Sequence, residues 1–404
     1  MTAACARATI APEVTSIRLF LPVIAVFAGA MSHGSVPQTA GGPPQGDRRV
    51  VAPAFEVDPF WPKPLPNRWI LGSTIGLAVD ARDHVFVLHR QSSIDVDFKA
   101  AALDPPLGAC CIPAPPVLEF SADGTLVNSW GGPGQGYDWP LREHGLSIDH
   151  KGNVWIGGND DKDSQVLKFT SAGRFVLQIG RPGQKSGSND KENFWRPAKV
   201  FVDPGANEAY IADGYGNRRV IVVDADSGRH KRHWGAYGAI PDDAALPEYS
   251  PAAPPSKQFN TVHCAMVSND GLVYVCDRVN DRIQVFRKDG TFVKEAFYDR
   301  ATRRSGSVWD LTFSRDADQR YLYVADGVNE KIRIVDRRTL EVLTTFGDGG
   351  RQPGQFFGVH NLATDSHGNL YTTETYNGAR VQRFVFKGER PVTRTEQGVP
   401  WPRR

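Results

Sequence analysis

The sequence has no excess of charge of either sign, and no long apolar run follows its first thirty residues. Lysine and arginine number 47 against 45 aspartate and glutamate, so no basic surface for nucleic acid is predicted. A helix that spans a membrane needs about 20 mostly apolar residues. No later stretch meets that requirement, so no membrane span is predicted.

Methionine is scarce, at 3 residues, whereas the 404 residues include 40 Gly, 29 Pro and 9 Trp. This composition is typical of many short strands joined by turns and argues against a helical bundle. The hydrophobic share of 40% is enough for a core. The length would allow two or three domains, but all-β folds often run longer as one unit.

The first residues have the pattern of an export signal. Arg7 and Arg18 precede a 12-residue apolar run that ends in Ala-Gly-Ala at Ala30. This pattern predicts a signal peptide over residues 1–30, cleaved after Ala30, and a secreted or periplasmic protein. A buried helix or a short anchor remains the alternative. Residues 31–53, rich in Gly, Pro, Gln and Ser, are predicted to be a flexible linker.

A repeat organises the chain after residue 70. Each unit has an apolar strand ending in Asp or Ser, a Gly turn, a second strand, a polar turn and a third strand. The units are 76–90, 144–158, 198–224, 263–286, 309–336 and 360–384. Six units of four antiparallel strands predict an all-β fold, a six-bladed β-propeller. The last unit lacks an outer strand, which 54–61 could supply to close the ring. One domain over 54–395 and a tail over 396–404 would result.

Histidine occupies one register position in alternate units. The units are aligned on the residue five before the Asp or Ser that ends the first strand. The aligned residues are Ile75, His144, Ala198, His263, Trp309 and His360. In a six-bladed ring, alternate blades are related by a threefold axis, so the three imidazoles would converge in the channel. Three histidines with an open fourth position are a ligand set of catalytic zinc. Hydrogen-bonded histidines lining a wet channel are the alternative.

Two arginines and a tyrosine are predicted at the same mouth of the channel. The second strand runs antiparallel to the first, so its end returns to the level at which the first began. Arg90 and Arg278 each follow an aligned residue by fifteen positions, and Tyr215 lies near the equivalent place in the third unit. Arginine suits capture of a carboxylate, and tyrosine beside a cation is a usable base.

The sequence does not decide whether the cysteines form disulfides. Cys5 would leave with the signal peptide. Cys264 and Cys276 flank a hairpin turn at equal distance, which makes them neighbours across two strands. Cys110 and Cys111 are adjacent in sequence. Disulfides and free thiols are both compatible with an exported chain.

From about residue 70 to 385 the chain resembles the peptidyl-α-hydroxyglycine α-amidating lyases, the lyase domain of peptidylglycine α-amidating enzymes. The matching segments are LHR at Arg90, EHGLSIDHKGNVWI around His144, ADGYGNRR at Tyr215, VCDRVNDRIQVF after His263 and VHNLATD at His360. The resemblance implies an NHL-type six-bladed propeller and zinc held by His144, His263 and His360. It implies Tyr215 as the base, with Arg90 and Arg278 holding the substrate carboxylate and Tyr215. The family cleaves the C–N bond of peptidyl-α-hydroxyglycine, giving a peptide amide and glyoxylate.

The chain departs from the family at three points. A structural calcium in the family would fall on Leu77, Leu146 and the residue after the third histidine. That residue is an Asp in the family and Asn361 here, which offers an oxygen without a charge. The cysteine after the family tyrosine is Gly216. The resemblance covers the lyase domain and not the copper hydroxylase that makes its substrate, so another α-hydroxy amide remains possible.

The preferred hypothesis is an exported zinc lyase, expected to be a monomer, acting on a peptide or small molecule that ends in an α-hydroxyglycine-like group. The alternative is a non-catalytic propeller that binds a protein or glycan, because the fold does not fix the function. A weaker alternative is a calcium-dependent lactonase-like propeller. Calcium sites favour oxygen ligands, whereas the aligned channel positions offer imidazoles.

Overall fold

Short strands rich in Val, Ile, Leu and aromatic residues dominate residues 49–402, the part of the chain described by the computed structural model. The strands are β1 (Arg49–Asp58), β2 (Trp69–Ile70), β3 (Thr74–Val79), β4 (Val85–His89), β5 (Ile112–Pro113), β6 (Val117–Phe120), β7 (Leu126–Trp130), β8 (Glu143–Ile148), β9 (Asn153–Gly158), β10 (Gln165–Thr170), β11 (Phe175–Gly180), β12 (Lys199–Asp203), β13 (Glu208–Asp213), β14 (Arg219–Asp224), β15 (His230–Trp234), β16 (Val262–Val267), β17 (Leu272–Asp277), β18 (Arg282–Arg287), β19 (Phe292–Phe297), β20 (Asp310–Phe313), β21 (Tyr321–Asp326), β22 (Lys331–Asp336), β23 (Val342–Phe346), β24 (Val359–Thr364), β25 (Leu370–Glu374) and β26 (Arg380–Thr393). Three short 3₁₀ helices cover Gln91–Ser93, Val96–Ala102 and Ala236–Gly238. None of the helices in residues 49–402 is long and apolar enough to cross a membrane.

Six four-stranded antiparallel sheets form the blades of a propeller, as the repeat predicts. From the channel outward, blade 1 is β3-β4-β6-β7 and blade 2 is β8-β9-β10-β11. Blades 3, 4 and 5 are β12 to β15, β16 to β19 and β20 to β23. Blade 6 is β24-β25-β26-β1. Strands β2 and β5 form a separate parallel pair beside blade 1.

The N-terminal strand closes the ring, as predicted. Strand β1 pairs antiparallel with β26 and forms the outer edge of blade 6. This strand begins at Arg49, five residues before the predicted start of the propeller at residue 54, so its first residues belong to the segment predicted as a linker. The backbone N–H of Val57 donates to Pro400 over 2.7 Å, and Gln397 donates to Thr345 over 2.8 Å, which holds part of the predicted tail on blades 5 and 6. The predicted signal peptide and its cleavage point lie outside the described residues.

Apolar side chains fill each of the six interfaces between neighbouring blades. One cluster joins blades 5 and 6 through Phe55, Tyr323 and Phe384, all less than a tenth exposed. Equivalent clusters occupy the other five interfaces. Because every blade is packed on both faces, the inner strands around the channel are held at fixed positions.

Both candidate cysteine pairs are disulfides. Cys264 lies directly opposite Cys276 in the β16–β17 ladder, and the bond joins the two innermost strands of blade 4. Cys110 and Cys111 form a vicinal disulfide in the segment between the second 3₁₀ helix and β5.

Candidate metal centre

Three inner strands each place one histidine in the channel. His144, His263 and His360 are the second residues of β8, β16 and β24. The pairing register of all three strands shifts at this point, which indicates a β-bulge at or beside each histidine. A bulge turns a side chain away from the regular alternation of a strand. The bulges are therefore the local feature that directs these rings to the axis.

The three imidazoles form an almost equilateral triangle. The ring centroids of His144 and His263 are 5.0 Å apart, those of His144 and His360 4.9 Å, and those of His263 and His360 5.0 Å. One potential ligand atom from each ring lies within 4.8 Å of the others. All three residues are at most 2% exposed. The structure thus brings together the three histidines that the aligned repeats single out.

Neighbouring blades orient two of the rings. Nδ1 of His144 lies 2.8 Å from the carbonyl oxygen of Ala198 in blade 3, and Nδ1 of His263 bonds the carbonyl oxygen of Trp309 in blade 5. Because a carbonyl only accepts, each Nδ1 carries the proton and each Nε2 presents a lone pair. Such a partner behind a ligating histidine fixes both its tautomer and its orientation.

Three connected side chains, those of Asn361, Asp310 and Lys199, orient the third ring. Lys199 and Asp310 were not predicted from the sequence. Nδ1 of His360 donates to Oδ1 of Asn361 over 2.7 Å, and the amide of Asn361 donates to Asp310 over 3.0 Å. The ammonium of Lys199 lies 2.6 and 2.7 Å from the two oxygens of Asp310, which is fully buried. Lys199 and Asp310 each follow an aligned residue by one position, which is the signal that could have found them.

Burial keeps the three histidines neutral. It lowers the pKa of His144 and His263 well below the usual value, and it lowers the pKa of His360 to about 3. Neighbouring positive charge, including that of Arg278, lowers all three further. A histidine must be neutral to bind a metal, so these rings are competent ligands at neutral pH. Three inward nitrogens of this kind fit a zinc ion.

The histidine cluster differs from the other groups of possible ligands in residues 49–402. Those groups are Cys264 and Cys276 with Asp310, and Asp80 and His84 with Glu119. The first consists of a disulfide and a carboxylate that already binds an ammonium. In the second, Arg82 donates to both carboxylates, over 2.7 and 3.0 Å. In each of these groups a carboxylate already binds a cationic side chain, whereas the three histidines face one another.

Tyr215 reaches over the histidines from the turn between β13 and β14. Its hydroxyl oxygen lies 3.0 Å from Nε2 of His144 and 2.9 Å from Nε2 of His263. Nη1 of Arg278 donates to the same oxygen over 2.8 Å, and the guanidinium stacks on Trp309 with 3.9 Å between Cζ and the ring centroid. The structure therefore joins Tyr215, Arg278 and two of the histidines at one oxygen.

Arg90 borders the same site but does not bond Tyr215. Its Nε donates to the carbonyl oxygen of Glu143 over 2.8 Å, and Nη2 donates to Oδ1 of Asn159 over 2.9 Å. Burial, followed by the charge of Arg142, lowers the pKa of Arg90 to about 10. The side chain is still cationic at neutral pH and adds to the positive potential over the site.

Buried ion pairs brace the turns that carry the site residues. Asp213 and Arg219 flank the turn of Tyr215 and pair at 2.9 Å, with both side chains fully buried. Blade 4 repeats the arrangement around its own arginine, with Asp277 and Arg282 2.7 Å apart. The repeated Asp–Arg ion pair therefore fixes the turn in both blades, whereas the site residue that the turn carries differs between them.

Arg196 is a further cation at the site that the sequence analysis missed. Its guanidinium carbon lies 5.8 Å from the ring centroid of Tyr215, and its Nε donates to the carbonyl oxygen of Asn159 over 2.8 Å. It precedes the aligned residue Ala198 by two positions, where the repeat has no shared function, so alignment alone does not reveal it.

The calcium suggested at Leu77, Leu146 and Asn361 stays a prediction, and the structure shows what the side chains of these residues contact. The side-chain oxygen of Asn361 accepts from His360, and its amide group points to Asp310. The side chains of Leu77 and Leu146 are buried in the cores between blades. The oxygen expected to bind calcium is therefore already engaged, and a lysine ammonium lies on the adjacent carboxylate.

Comparison with known proteins gives relatives of two kinds. No family model matches the sequence. NHL repeat-containing protein 3 of Mus musculus is 26% identical over 366 residues, covering 88% of this chain and 87% of that protein. Peptidyl-glycine alpha-amidating monooxygenase A of Xenopus laevis is 30% identical over 237 residues, covering 56% of this chain and 22% of that protein. The chain thus matches only about a fifth of the length of the amidating enzyme.

One solved structure also has a similar fold. It is a structural genomics protein of unknown function from Bacteroides thetaiotaomicron, with a TM-score of 0.50, 13% identity, and coverage of 83% of this chain and 77% of that one. At this identity the likeness concerns the fold alone. Taken together, the six-bladed architecture and the two kinds of sequence relative fit the NHL-repeat propellers.

Proposed function

We propose that this chain is an exported zinc-dependent lyase that cleaves the C–N bond of a peptidyl-α-hydroxyglycine, or of a related α-hydroxy amide, to an amide and glyoxylate. The observation that carries the proposal is the convergence of three neutral histidines under one tyrosine hydroxyl and one arginine. The similarity to a segment of the amidating monooxygenases supports the same activity.

His144, His263 and His360 would hold the ion through Nε2. A bound zinc ion supplies Lewis acidity that polarises an oxygen of the substrate. Blades 3 and 5 and the Asn361 side chain hold the three rings by Nδ1, so the ligand set is arranged before any ion arrives. The chain therefore contributes the geometry and the neutral charge state of the ligands.

Tyr215 is the base in this proposal. Its oxygen takes the proton of the substrate hydroxyl as the carbon–oxygen double bond of glyoxylate forms. The C–N bond breaks, its electron pair leaves with the amide nitrogen, and that nitrogen receives the proton that Tyr215 took from the hydroxyl. Arg278 donates to the same oxygen and so stabilises the phenolate form of Tyr215. All electrons and the transferred proton stay within the two products, so no oxidant or reductant is needed.

The cations around the site suit a substrate with a carboxylate. Arg90 and Arg278 are both nearly buried, and the guanidinium carbons of Arg196 and Arg278 each lie 5.8 Å from the ring centroid of Tyr215. Charge-assisted hydrogen bonds from guanidinium groups are the strong contacts for carboxylates. The carboxylate of an α-hydroxyglycine is adjacent to the reacting carbon, so binding it would place that carbon beside Tyr215.

The direct test is release of glyoxylate from α-hydroxyhippurate by the purified zinc-loaded chain, followed by a colorimetric or coupled assay. Tyr321→Phe provides a matched control, because Tyr321 begins β21 and its hydroxyl donates to Oε2 of Glu389 over 2.9 Å, away from the histidines. We expect activity in the native chain and in the control. If the chain binds stoichiometric zinc but releases no glyoxylate from this and similar compounds, the proposed reaction is rejected and the proposed metal site is not.

A second candidate is a non-catalytic propeller that binds a protein or a glycan. The repeat-containing relative matched over 88% of the chain is consistent with it, because a propeller fold does not fix the function. This function predicts no stoichiometric zinc and no effect of chelators on the folded chain. Metal analysis therefore separates the two candidates before any substrate is tried.

A further inference from the structure

A large cavity opens beside the metal centre, between the segment after β4 and the turn after β25. Its volume is about 1,030 Å³. The lining includes Ile94, Phe98, the Cys110–Cys111 disulfide, Arg351 and Tyr376. The segment from 91 to 113 is an insertion between the second and third strands of blade 1, and no other blade has an equivalent of this length.

The cavity shares its walls with the candidate site. Ser73 lines it, and the carbonyl oxygen of Ser73 accepts from the backbone N–H of Arg90 over 3.0 Å. On the opposite side, the ring of Tyr376 lies 6.2 Å from that of Trp309, on which Arg278 stacks. The lining of the cavity thus contacts two residues that border the site, Arg90 and Trp309.

Aromatic side chains are exposed around this cavity, although the fold elsewhere buries most of its aromatic residues. Phe98 is 68% exposed and Tyr376 is 55% exposed, and both line it. Phe357 is 39% exposed beside Arg351, whose guanidinium carbon lies 4.4 Å from its ring centroid. Exposed apolar groups gathered in a concavity mark a binding site rather than ordinary surface.

Charged side chains also line the cavity. Asp95 and Asp97 lie on the insertion, and Nη1 of Arg351 donates to the carbonyl oxygen of Asn377, in the turn after β25, over 3.1 Å. The aromatic rings and the disulfide sulfurs provide the apolar lining. Such a site suits a group that is bulky and apolar, joined to a polar backbone that reaches the metal centre.

From this arrangement we propose that the cavity binds the part of the substrate on the acyl side of the cleaved bond, and that it selects an aromatic or large apolar residue next to the α-hydroxyglycine. This inference rests on the proposed lyase function. It narrows the substrate class to peptides with such a residue before the reacting one.

The test compares two substrates, N-acetyl-phenylalanyl-α-hydroxyglycine and N-acetyl-alanyl-α-hydroxyglycine. We expect the zinc-loaded chain to favour the phenylalanyl peptide in kcat/KM by roughly 10-fold or more, the discrimination that an apolar pocket can give. Phe98→Ala should remove most of this preference with little effect on the alanyl peptide, and Phe98→Leu should restore part of it. Phe60→Ala, which removes an 85% exposed phenylalanine outside the cavity, is the control. Equal kcat/KM for the two peptides would overturn the proposal and leave the lyase function intact.

A binding measurement keeps the two proposals separate. Calorimetric titration with the amides N-acetylphenylalaninamide and N-acetylalaninamide does not depend on turnover. If neither peptide releases glyoxylate, the lyase function is rejected. The assignment of the cavity as a binding site for an aromatic residue is then supported only if the phenylalanyl amide binds roughly 10-fold tighter than the alanyl amide. Phe98→Ala must then weaken that binding. Equal binding of the two amides, or binding unaffected by the substitution, would contradict the assignment of the cavity.

Discussion

Arg278 donates a hydrogen bond to the hydroxyl oxygen of Tyr215 over 2.8 Å. The same oxygen lies 2.9 Å from Nε2 of His263, so one atom joins the cation, the proposed base and the metal centre. Two different blades carry the two residues on turns of the same kind. In the proposed reaction, this hydrogen bond would let Arg278 stabilise negative charge that develops on that oxygen.

Replacing Arg278 should therefore slow the reaction without removing the metal. We expect Arg278→Met to lower kcat for glyoxylate release by roughly 100-fold, the usual cost of losing a donor to a developing anion. Arg278→Lys should restore part of the rate, because it keeps a positive charge on the same turn. Zinc content measured on both variants should match the native value, and a fully active Arg278→Met would contradict this role.

Tyr215→Phe separates base chemistry from metal binding. It removes the hydroxyl and keeps the ring, and the three histidines retain their Nδ1 partners. We expect kcat to fall by roughly 10² to 10⁴, the contribution of a positioned base. Zinc should remain at the native level by elemental analysis. If Tyr215→Phe and the control Tyr321→Phe both turn over at the native rate, Tyr215 is not the base.

The chain of side chains behind His360 should control metal affinity and stability by separate routes. Lys199→Met leaves the carboxylate of Asp310 buried without its cation, which should cost about 3 to 5 kcal/mol in the free energy of unfolding. The double variant Lys199→Met/Asp310→Asn removes both charges and should recover most of that loss, as urea unfolding would measure.

Zinc affinity provides a second measurement, made on a variant of the residue that contacts His360 directly. Asn361→Leu removes the oxygen that accepts from His360 and should weaken zinc binding by roughly 10- to 100-fold, as expected for the partner behind a ligand. Titration against a competing chelator measures this change. Native zinc affinity in Asn361→Leu would show that His360 needs no such partner.

The metal-free chain should lose stability in mild acid. The pKa of His360 is about 3 in the folded chain, against an ordinary value of 6.5, and His144 and His263 are lowered as well. Below about pH 6.5 the unfolded chain therefore binds more protons, and the free energy of unfolding falls as the pH falls towards 3. Each imidazole contributes a slope of up to about 1.4 kcal/mol per pH unit.

Urea unfolding at several pH values from 7 to 5 checks this effect. His360→Gln removes one of the three groups and should give a shallower slope than the native chain. His367→Gln is the control, since the His367 side chain is 77% exposed. An equal slope in native protein and His360→Gln would contradict the burial argument.

The blades and the three histidines could be predicted because a repeat converts sequence position into position in space. His144, His263 and His360 share one register, so alternation along the chain becomes convergence on the axis. The same rule placed Tyr215 and Arg278, which lie on equivalent turns of successive blades. The closure of the ring by β1 could be predicted because the last repeat lacks an outer strand of its own.

The remaining features depend on contacts that no repeat encodes. Arg196 lies between strands, two positions before the aligned residue, where only blade 2 also has an arginine, Arg142. Lys199 and Asp310 are one residue beyond the aligned position, and only the packed channel shows that they meet from blades 3 and 5. The cavity beside the site is formed by an insertion whose conformation is not set by the strand pattern.

The central claim is that the channel histidines form a zinc centre, and elemental analysis of the purified chain beside His263→Ala tests it most directly. About one zinc per native chain, removed by chelator and restored by added zinc, is the expected result. His263→Ala should hold almost none. Native protein that stays metal-free in excess zinc, or His263→Ala that binds as much as the native chain, would contradict the claim.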